Sequence, residues 1–320
     1  MVKNFKIIIR NIFLRERTKT LYRKLSKLKS IMMLPLNDEQ FTKINIRMNS
    51  GIKLELKKPE RFIDKINWLK LNYRNPLQTE YTDKYLMRNH LINHGYNHLL
   101  PPLIGVFESF DDIDFNQMPE KVFLKTNHTS GVNQLVEKGK TDLHKVKSRF
   151  NRALKDNYYK YSREWNYKNI HPKILVEEYL SDDKLVDYKF FVFGGKVEFF
   201  GVIKNIIDKE GRASLNSQIN LYEKTLKKSD IDINRTGFDD SDFELSQYVT
   251  EMIEVAETLA SPFPFCRVDF LVGQNKLYFG EMTFHPNGGQ LVLNPIDNEI
   301  KYGQKIDLTR IPRNHLKPDN

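Results

Sequence analysis

The chain has 320 residues, 40% of them hydrophobic and 12% aromatic, enough to bury a sizeable core in one large or two or three smaller domains. One cysteine, Cys266, excludes an intrachain disulfide and leads us to expect a reducing, cytoplasmic setting. No run approaches the roughly 20 apolar residues of a membrane span, and the formal net charge of +10 is concentrated at one end.

Residues 1–30 hold ten Lys or Arg against one acid, Glu16. Arg10 interrupts their short apolar core and no small-residue cleavage site follows, so a signal peptide is not expected. The spacing predicts a basic helix over 1–35 with Phe5, Ile8, Ile9, Ile12 and Phe13 on one side. It is either a solvated helix or a peripheral contact with the anionic inner face of a membrane. Nucleic acid is not expected as a partner, because no recognition motif accompanies the charge.

Residues 36–100 read as mainly helical with Asn, Asp and Pro breaks. In TDKYLMRNHLINHG, Thr82 is the expected N-cap and Gly95 the stop, which places Lys84 in a first helical turn. From Lys121 the pattern changes to short apolar runs: KVFLKT, NQLVEK, KILVEEYL, YKFFVFGGKVEFFGVI, FCRVDFLVG and KLYFGEMTF are strand candidates. Gly194-Gly195 is a hairpin signal. Helices are expected over 142–157 and 241–260.

Four stretches carry candidate chemistry. Lys125 ends a strand before the polar turn NHTSG, offering a cation and free backbone N–H groups to a polyphosphate. ILVEEYL ends in Glu177, Glu178 and Leu180, and the chain returns with Asp187 and Lys189. The two glutamates suit sugar hydroxyls, or they point to opposite faces, one solvated and one paired with a lysine. In FCRVDFLVGQNKLYFGEMTFHPNGG, Arg267 and Asp269 share a strand face, as do Glu281 and Thr283. An antiparallel pairing brings Asp269 and Glu281 together. Two converging carboxylates repel unless a cation lies between them, and oxygen ligands suit Mg²⁺. Lys84, at a helix start, sits against the dipole unless it has an anionic partner. His90, His94 and His98 are spaced by four, but Gly95 breaks the face that zinc would need.

In their order, TDKYLMR, LLPPLIGVFESFDDIDF, VFLKTNHTSG, REWNYKNIHPKILVEEYL, DYKFFVFGGKV and RVDFLVG…LYFGEMTFHPNGG resemble the ATP-grasp superfamily, over roughly residues 60–295. More closely they resemble the family associated with teichuronopeptide and surface-polysaccharide synthesis. The resemblance implies an α+β ATP-grasp fold with a small subdomain (111–180) and a large one with the metal site (181–320); the basic helix (1–35) and a helical region (36–110) precede them, where many ATP-grasp ligases have a separate N-terminal α/β domain. It implies a carboxylate–amine ligase using ATP and Mg²⁺ through an acyl phosphate, acting on a small-molecule or lipid-linked glycan. By the same resemblance Lys84 and Lys125 contact phosphates, and the loop with His128, Ser130 and Gly131 covers them. Glu177, Glu178 and Leu180 border adenine, Asp187 takes ribose hydroxyls with Lys189 beside it, and Asp269 and Glu281 hold metal. Arg267 steadies the transferred group. The family's usual E-x-N is E-x-T here, so Thr283 or Asn287 completes the metal site. The rival expectation is a glycosyltransferase using a nucleotide-sugar, with SDD (181–183) or DDSD (239–242) as its metal motif.

Overall fold

The computed structural model describes residues 33–180, 185–206, 214, 217–273 and 276–318. The basic helix expected over 1–35 therefore lies outside the described residues up to residue 32, as does the SDD run at 181–183.

The N-terminal region is helical, as its composition predicts. Helix α1 (Asp38–Ser50) opens with a reciprocal capping box between Asn37 and Gln40 and ends at Gly51, whose φ of 74° needs no Cβ. Helix α2 (Phe62–Asn72) is buried on most sides, with Phe62, Ile66 and Leu69 in the main core. The short helices α3 (Leu77–Thr82) and α4 (Leu86–Asn93) follow. Here the structure corrects the sequence: Thr82 is the last residue of α3, not an N-cap, and Lys84 lies in the turn between the two helices. Asp83 does the capping, its Oδ1 accepting from the backbone N–H groups of Tyr85 at 2.8 Å and Leu86 at 3.4 Å. Gly95 stops the helical segment as expected, at φ 80°.

Two antiparallel sheets follow. The first runs β1 (Leu103–Phe107), β4 (Ile174–Glu178), β2 (Lys121–Thr126), β3 (Asn133–Glu137), with α5 (Leu143–Leu154) packed on β2. Its small core joins Phe110, Val122, Leu124, Phe150, Ile174 and Val176. Strand β1 went unread in the sequence, where LIGVF sits between Pro102 and a polar run, and its pairing with β4 is what makes it a strand. A single helical turn, α6 (Tyr159–Ser162), precedes β4.

The second sheet runs β7 (Gln218–Glu223), β6 (Lys196–Lys204), β5 (Val186–Phe193), β8 (Phe265–Gly273), β9 (Lys276–Thr283). Helices α2, α7 (Val249–Ala260) and α8 (Ile296–Gln304) contribute to the main core, in which the phenylalanines of β5, β6 and β8 pack. Residues 241–248 are not helical, contrary to the periodicity. Phe243 and Leu245 both pack on the core, and a spacing of two puts them on one side only of an extended chain.

The β8/β9 register pairs Arg267 with Thr283 and Asp269 with Glu281. It then shifts, so that Phe270 pairs with Phe279 and Gly280 is left as the extra residue of a bulge. A Cβ on Gly280 would lie 2.9 Å from the Asp269 carbonyl oxygen, so glycine is what lets the two backbones approach.

Candidate nucleotide-binding site

The two sheets face each other across a cavity of about 380 Å³. Strand alternation decides which side chains reach it. On β2, Val122 and Leu124 point into the small core, so Phe123 and Lys125 point to the cavity. On β5 the same rule sends Asp187 and Lys189 to it, and on β8 Asp269 and Leu271. Lys84, Glu177, Glu178, Leu180 and Glu281 also line it, with Ser130 and Gly131 at the tip of the β2–β3 turn.

On the large-sheet side the charges are already joined. Arg267 holds Asp269 through two hydrogen bonds, Nε to Oδ1 and Nη2 to Oδ2, both at 2.6 Å. Lys189 bridges two carboxylates, donating to Asp269 at 2.5 Å and Asp187 at 2.7 Å. Arg267 Nη2 also donates to the Thr283 hydroxyl at 3.0 Å and stands 3.9 Å from Glu281. The cations between the converging carboxylates are therefore side chains. Burial works to raise the Asp269 carboxyl, but Arg267 and Lys189 outweigh it and hold it below the usual range. Burial also works against the charged Lys189, yet its two carboxylates keep its ammonium above the usual lysine value. Burial pushes Asp187 up, and its Oδ1 is a buried acceptor with no partner among the described residues.

On the small-sheet side, Glu177 and Glu178 point to opposite faces. Glu178 is exposed; Glu177 is buried and paired with Lys125 at 2.6 Å and Arg88 at 3.5 Å. The β2–β3 turn is less loose than its composition suggests. Asn127 donates to Asp83 at 3.0 Å and to the His171 carbonyl at 2.9 Å, and accepts from the Lys173 backbone at 2.7 Å. Thr126 and Thr129 share a hydroxyl hydrogen bond at 2.5 Å. Lys84 is tied to the same turn, Nζ donating to the Thr129 carbonyl at 3.0 Å, with Glu281 3.7 Å away. Burial lowers the Lys84 pKa, and Glu281 opposes this.

Four of the expected site residues do not line the cavity. His128 is buried, its ring between the Ala153 carbonyl (2.9 Å) and the Asn127 side chain (3.2 Å), so it supports the turn from beneath. Asn287 is exposed on a left-handed turn (φ 54°) whose neighbour Gly288 accepts from Lys70 at 2.9 Å, and that turn is packed on α2. Thr283 carries the Arg267 hydrogen bond. Arg267 stands behind Asp269 and orients both carboxylates; direct contact with a transferred group would require it to leave Asp269. The histidine trio is dispersed: His90 pairs with Glu80 and His98 with Glu251, both at 2.9 Å, and no group of three metal-ligating side chains occurs among the described residues. Asp240 of the DDSD run is held by Tyr222 and Lys228 and lines no part of the cavity.

Sequence reading missed two neighbours, Arg88 and Tyr158. Arg88 was visible only as part of TDKYLMR; its role depends on Glu177 lying 89 positions later. Tyr158 reaches Ser130, and its ring meets Tyr167 edge-on with centroids 4.7 Å apart. Burial raises both phenols, with Glu164 and Glu281 adding to the effect.

The family is then decided by comparison. The TupA-like ATPgrasp family matches residues 64–306. The chain belongs to that family. Its fold is that of the ATP-grasp ligases, enzymes that use ATP, in the α+β form expected from the sequence. No curated protein matches the chain. Among solved structures, a D-alanine–D-alanine ligase from Bacillus anthracis is similar at 15% identity, covering 73% of this chain and 69% of that one with a TM-score of 0.45. An L-amino acid ligase from Bacillus licheniformis is similar at 13% identity over 67% of this chain and 46% of that one, TM-score 0.42. No helix among the described residues is long and apolar enough to cross a membrane.

Proposed function

We propose that this ATP-grasp protein joins a carboxylate to an amine through an acyl phosphate, using Mg²⁺ with its ATP, on a precursor of a bacterial surface polysaccharide. One observation carries the nucleotide part: Lys84, Lys125, Asp187, Lys189, Asp269 and Glu281, drawn from both sheets and the α3–α4 turn, meet on one cavity. Around it five cations (Lys84, Arg88, Lys125, Lys189, Arg267) face five carboxylates (Glu177, Glu178, Asp187, Asp269, Glu281). That balance leaves a tetra-anionic triphosphate under-neutralised, which favours a divalent ion alongside it. Asp269 and Glu281 supply hard oxygen donors for such an ion once Lys189 turns from Asp269 to phosphate. When bound, the ion would neutralise β and γ oxygens.

The chain's own residues do the rest. Lys125 and Lys84 meet the phosphates, with Ser130 and Gly131 closing over them. Asp187 Oδ1 accepts from a ribose hydroxyl. Phe123, Leu271 and Phe279 provide apolar walls for a base, with Leu180 at the hinge. A substrate carboxylate oxygen bonds the γ-phosphorus as its bond to the β-bridging oxygen breaks, releasing ADP. The amine then attacks the acyl carbon, phosphate leaves, and the amine loses a proton. No enzyme nucleophile is needed, in keeping with a wholly buried Cys266 whose thiol pKa burial pushes up.

The test is thermal stability with Mg·ATP, Mg·GTP and UDP-sugars, for the wild type and Asp269→Asn. Ligand at 100 times its dissociation constant stabilises by about 2.7 kcal/mol. A Mg²⁺-dependent shift with ATP, much reduced in the variant, supports the reading and justifies a search for ADP release with uronates and amino acids. A shift with a UDP-sugar alone overturns it in favour of a glycosyltransferase.

A further inference from the structure

A second and larger concavity, an open groove of about 940 Å³, shares no lining residue with the nucleotide cavity. It lies between α1, the segment 53–57 and α2, largely ahead of residue 64, where the family match begins. On one side of helix α1, Ile46 is buried and joins Leu54 and Ile63 in a small core of its own. On another, Phe41, Ile44 and Met48 follow one another at helical spacing; Phe41 is buried beneath the Arg163 guanidinium, while Ile44 and Met48 are 41% and 62% exposed and line the groove. Trp68 and Leu71 of α2 form the opposite apolar wall.

The groove's rim is basic. Lys43, Arg47, Lys53 and Lys57 stand against two acids, Glu39 and Glu55. Glu39 is paired with Lys43 at 2.5 Å, and Glu55 accepts from the backbone of Lys57 at 2.9 Å. Arg47, Lys53 and Lys57 make no ion pair among the described residues. The chain enters α1 from residues 1–32, which carry ten Lys or Arg and one Glu. Positive charge thus adjoins the groove along the chain as well as around its rim.

We propose that this face docks on an anionic phospholipid bilayer, with the exposed Ile44 and Met48 entering the headgroup boundary, Trp68, part-buried against the main core, beside them at the groove wall, and the four rim cations facing lipid phosphates. Nucleic acid would satisfy the cations but leave the Ile44–Met48–Trp68 surface without a partner. An apolar peptide would satisfy that surface and leave the cations unmatched. The proposal is independent of the nucleotide reading.

The chain has only two tryptophans, so Trp165→Phe leaves Trp68 as the sole indole, excited selectively over tyrosine at the red edge of its absorption. The full chain is mixed with phosphatidylcholine vesicles, with and without phosphatidylglycerol, whose acyl chains carry bromine near the headgroup. Binding to the anionic vesicles alone, with a blue-shifted and quenched Trp68, is the expected result. Ile44→Ser with Met48→Ser should remove the quenching, and Lys43→Gln with Arg47→Gln should weaken partition roughly tenfold or more. All four positions lie on the surface, and an unchanged Mg·ATP thermal shift separates this test from the catalytic one. Should Trp165→Phe not fold, Trp68→Phe in the otherwise native chain should abolish the bromine-dependent quenching. Binding without quenching overturns the proposal, since residues 1–32 then act without the groove. Equal binding to neutral vesicles, or binding to duplex DNA with none to vesicles, overturns it too.

Discussion

The two walls of the nucleotide cavity are built differently. The wall from β5, β8 and β9 is a closed lattice in which Lys189 and Arg267 lock Asp187 and Asp269 at 2.5–2.7 Å. The wall from β2, β4 and the Asn127–Gly131 turn is looser. It has one close pair, Lys125–Glu177 at 2.6 Å, and an exposed tip at Ser130 and Gly131. The difference teaches that the carboxylates proposed for the metal are preorganised by cations that a bound ion would partly replace. The phosphate side keeps an exposed tip at Ser130 and Gly131, with Arg149 holding the Gly131 carbonyl at 3.0 Å. Breaking the lattice should therefore cost stability and function together, whereas changes on the other wall should cost mainly binding.

Asp269→Asn is expected to have the largest effect. It leaves Lys189 and Arg267 undercompensated and should destabilise the fold by about 3 kcal/mol. It should also lower ATP turnover on the order of thousandfold. Chemical denaturation and ADP release measure the two, and an unchanged denaturation midpoint would mean that the lattice is not a stabilising unit. Next comes Gly280→Ala. Its Cβ would press on the Asp269 carbonyl at 2.9 Å, so a loss of about 2 kcal/mol is expected, with weaker Mg·ATP binding as Glu281 shifts. Full stability in that variant would show that the bulge yields without strain.

Lys125→Met should separate the walls. Glu177 keeps Arg88, so stability should fall by less than half the Asp269→Asn cost, while Mg·ATP affinity falls about tenfold or more. Calorimetric titration decides this; a stability loss matching that of Asp269→Asn would erase the contrast between walls. A smaller effect is expected from Asp187→Ala, which removes the acceptor. Wild type should prefer ATP to 2′-deoxyATP by about fivefold, one hydrogen bond's worth, and the variant should not discriminate. Equal affinities in the wild type would remove Asp187 from the ribose.

A further effect, on stability alone, concerns pH at the edge of the site. Burial lowers the Lys70 pKa to about 8, and its ammonium holds the turn after β9. Below pH 8 both folded and unfolded chains carry this proton. Between about 8 and the unfolded value near 10.4, only the unfolded chain keeps it, so this group's contribution to stability rises with pH through that window. Wild type should gain about 1–2 kcal/mol relative to Lys70→Met between pH 7.5 and 10. A constant difference across that range would show that Lys70 is not perturbed.

The strands with a clean period of two, β2 and β8 above all, were legible residue by residue, as were Gly95 and the Gly194-Gly195 hairpin. Strand β7 was not. Asn220 interrupts its apolar run and is accommodated only because it hydrogen-bonds the Phe238 backbone in both directions. The helix-start conflict that singles out Lys84 in the sequence does not exist in the fold, yet Lys84 reaches the cavity, because the Asp83–Asn127 contact draws its turn onto the β2–β3 turn.

By itself, then, the sequence determined which residues share a strand face, where turns fall, and that acids and bases in this order fit an ATP-grasp chain. Alternation and glycine conformation are local properties, set within a few residues. Which cation meets which carboxylate was left to the tertiary structure. Arg88 and Lys125 share Glu177, Arg267 is turned back onto Asp269, His128 is drawn beneath its turn and Asn287 is carried out of the site. Those choices depend on burial and on partners dozens of positions away, since a charge leaves water only where the fold has placed a counter-charge to receive it.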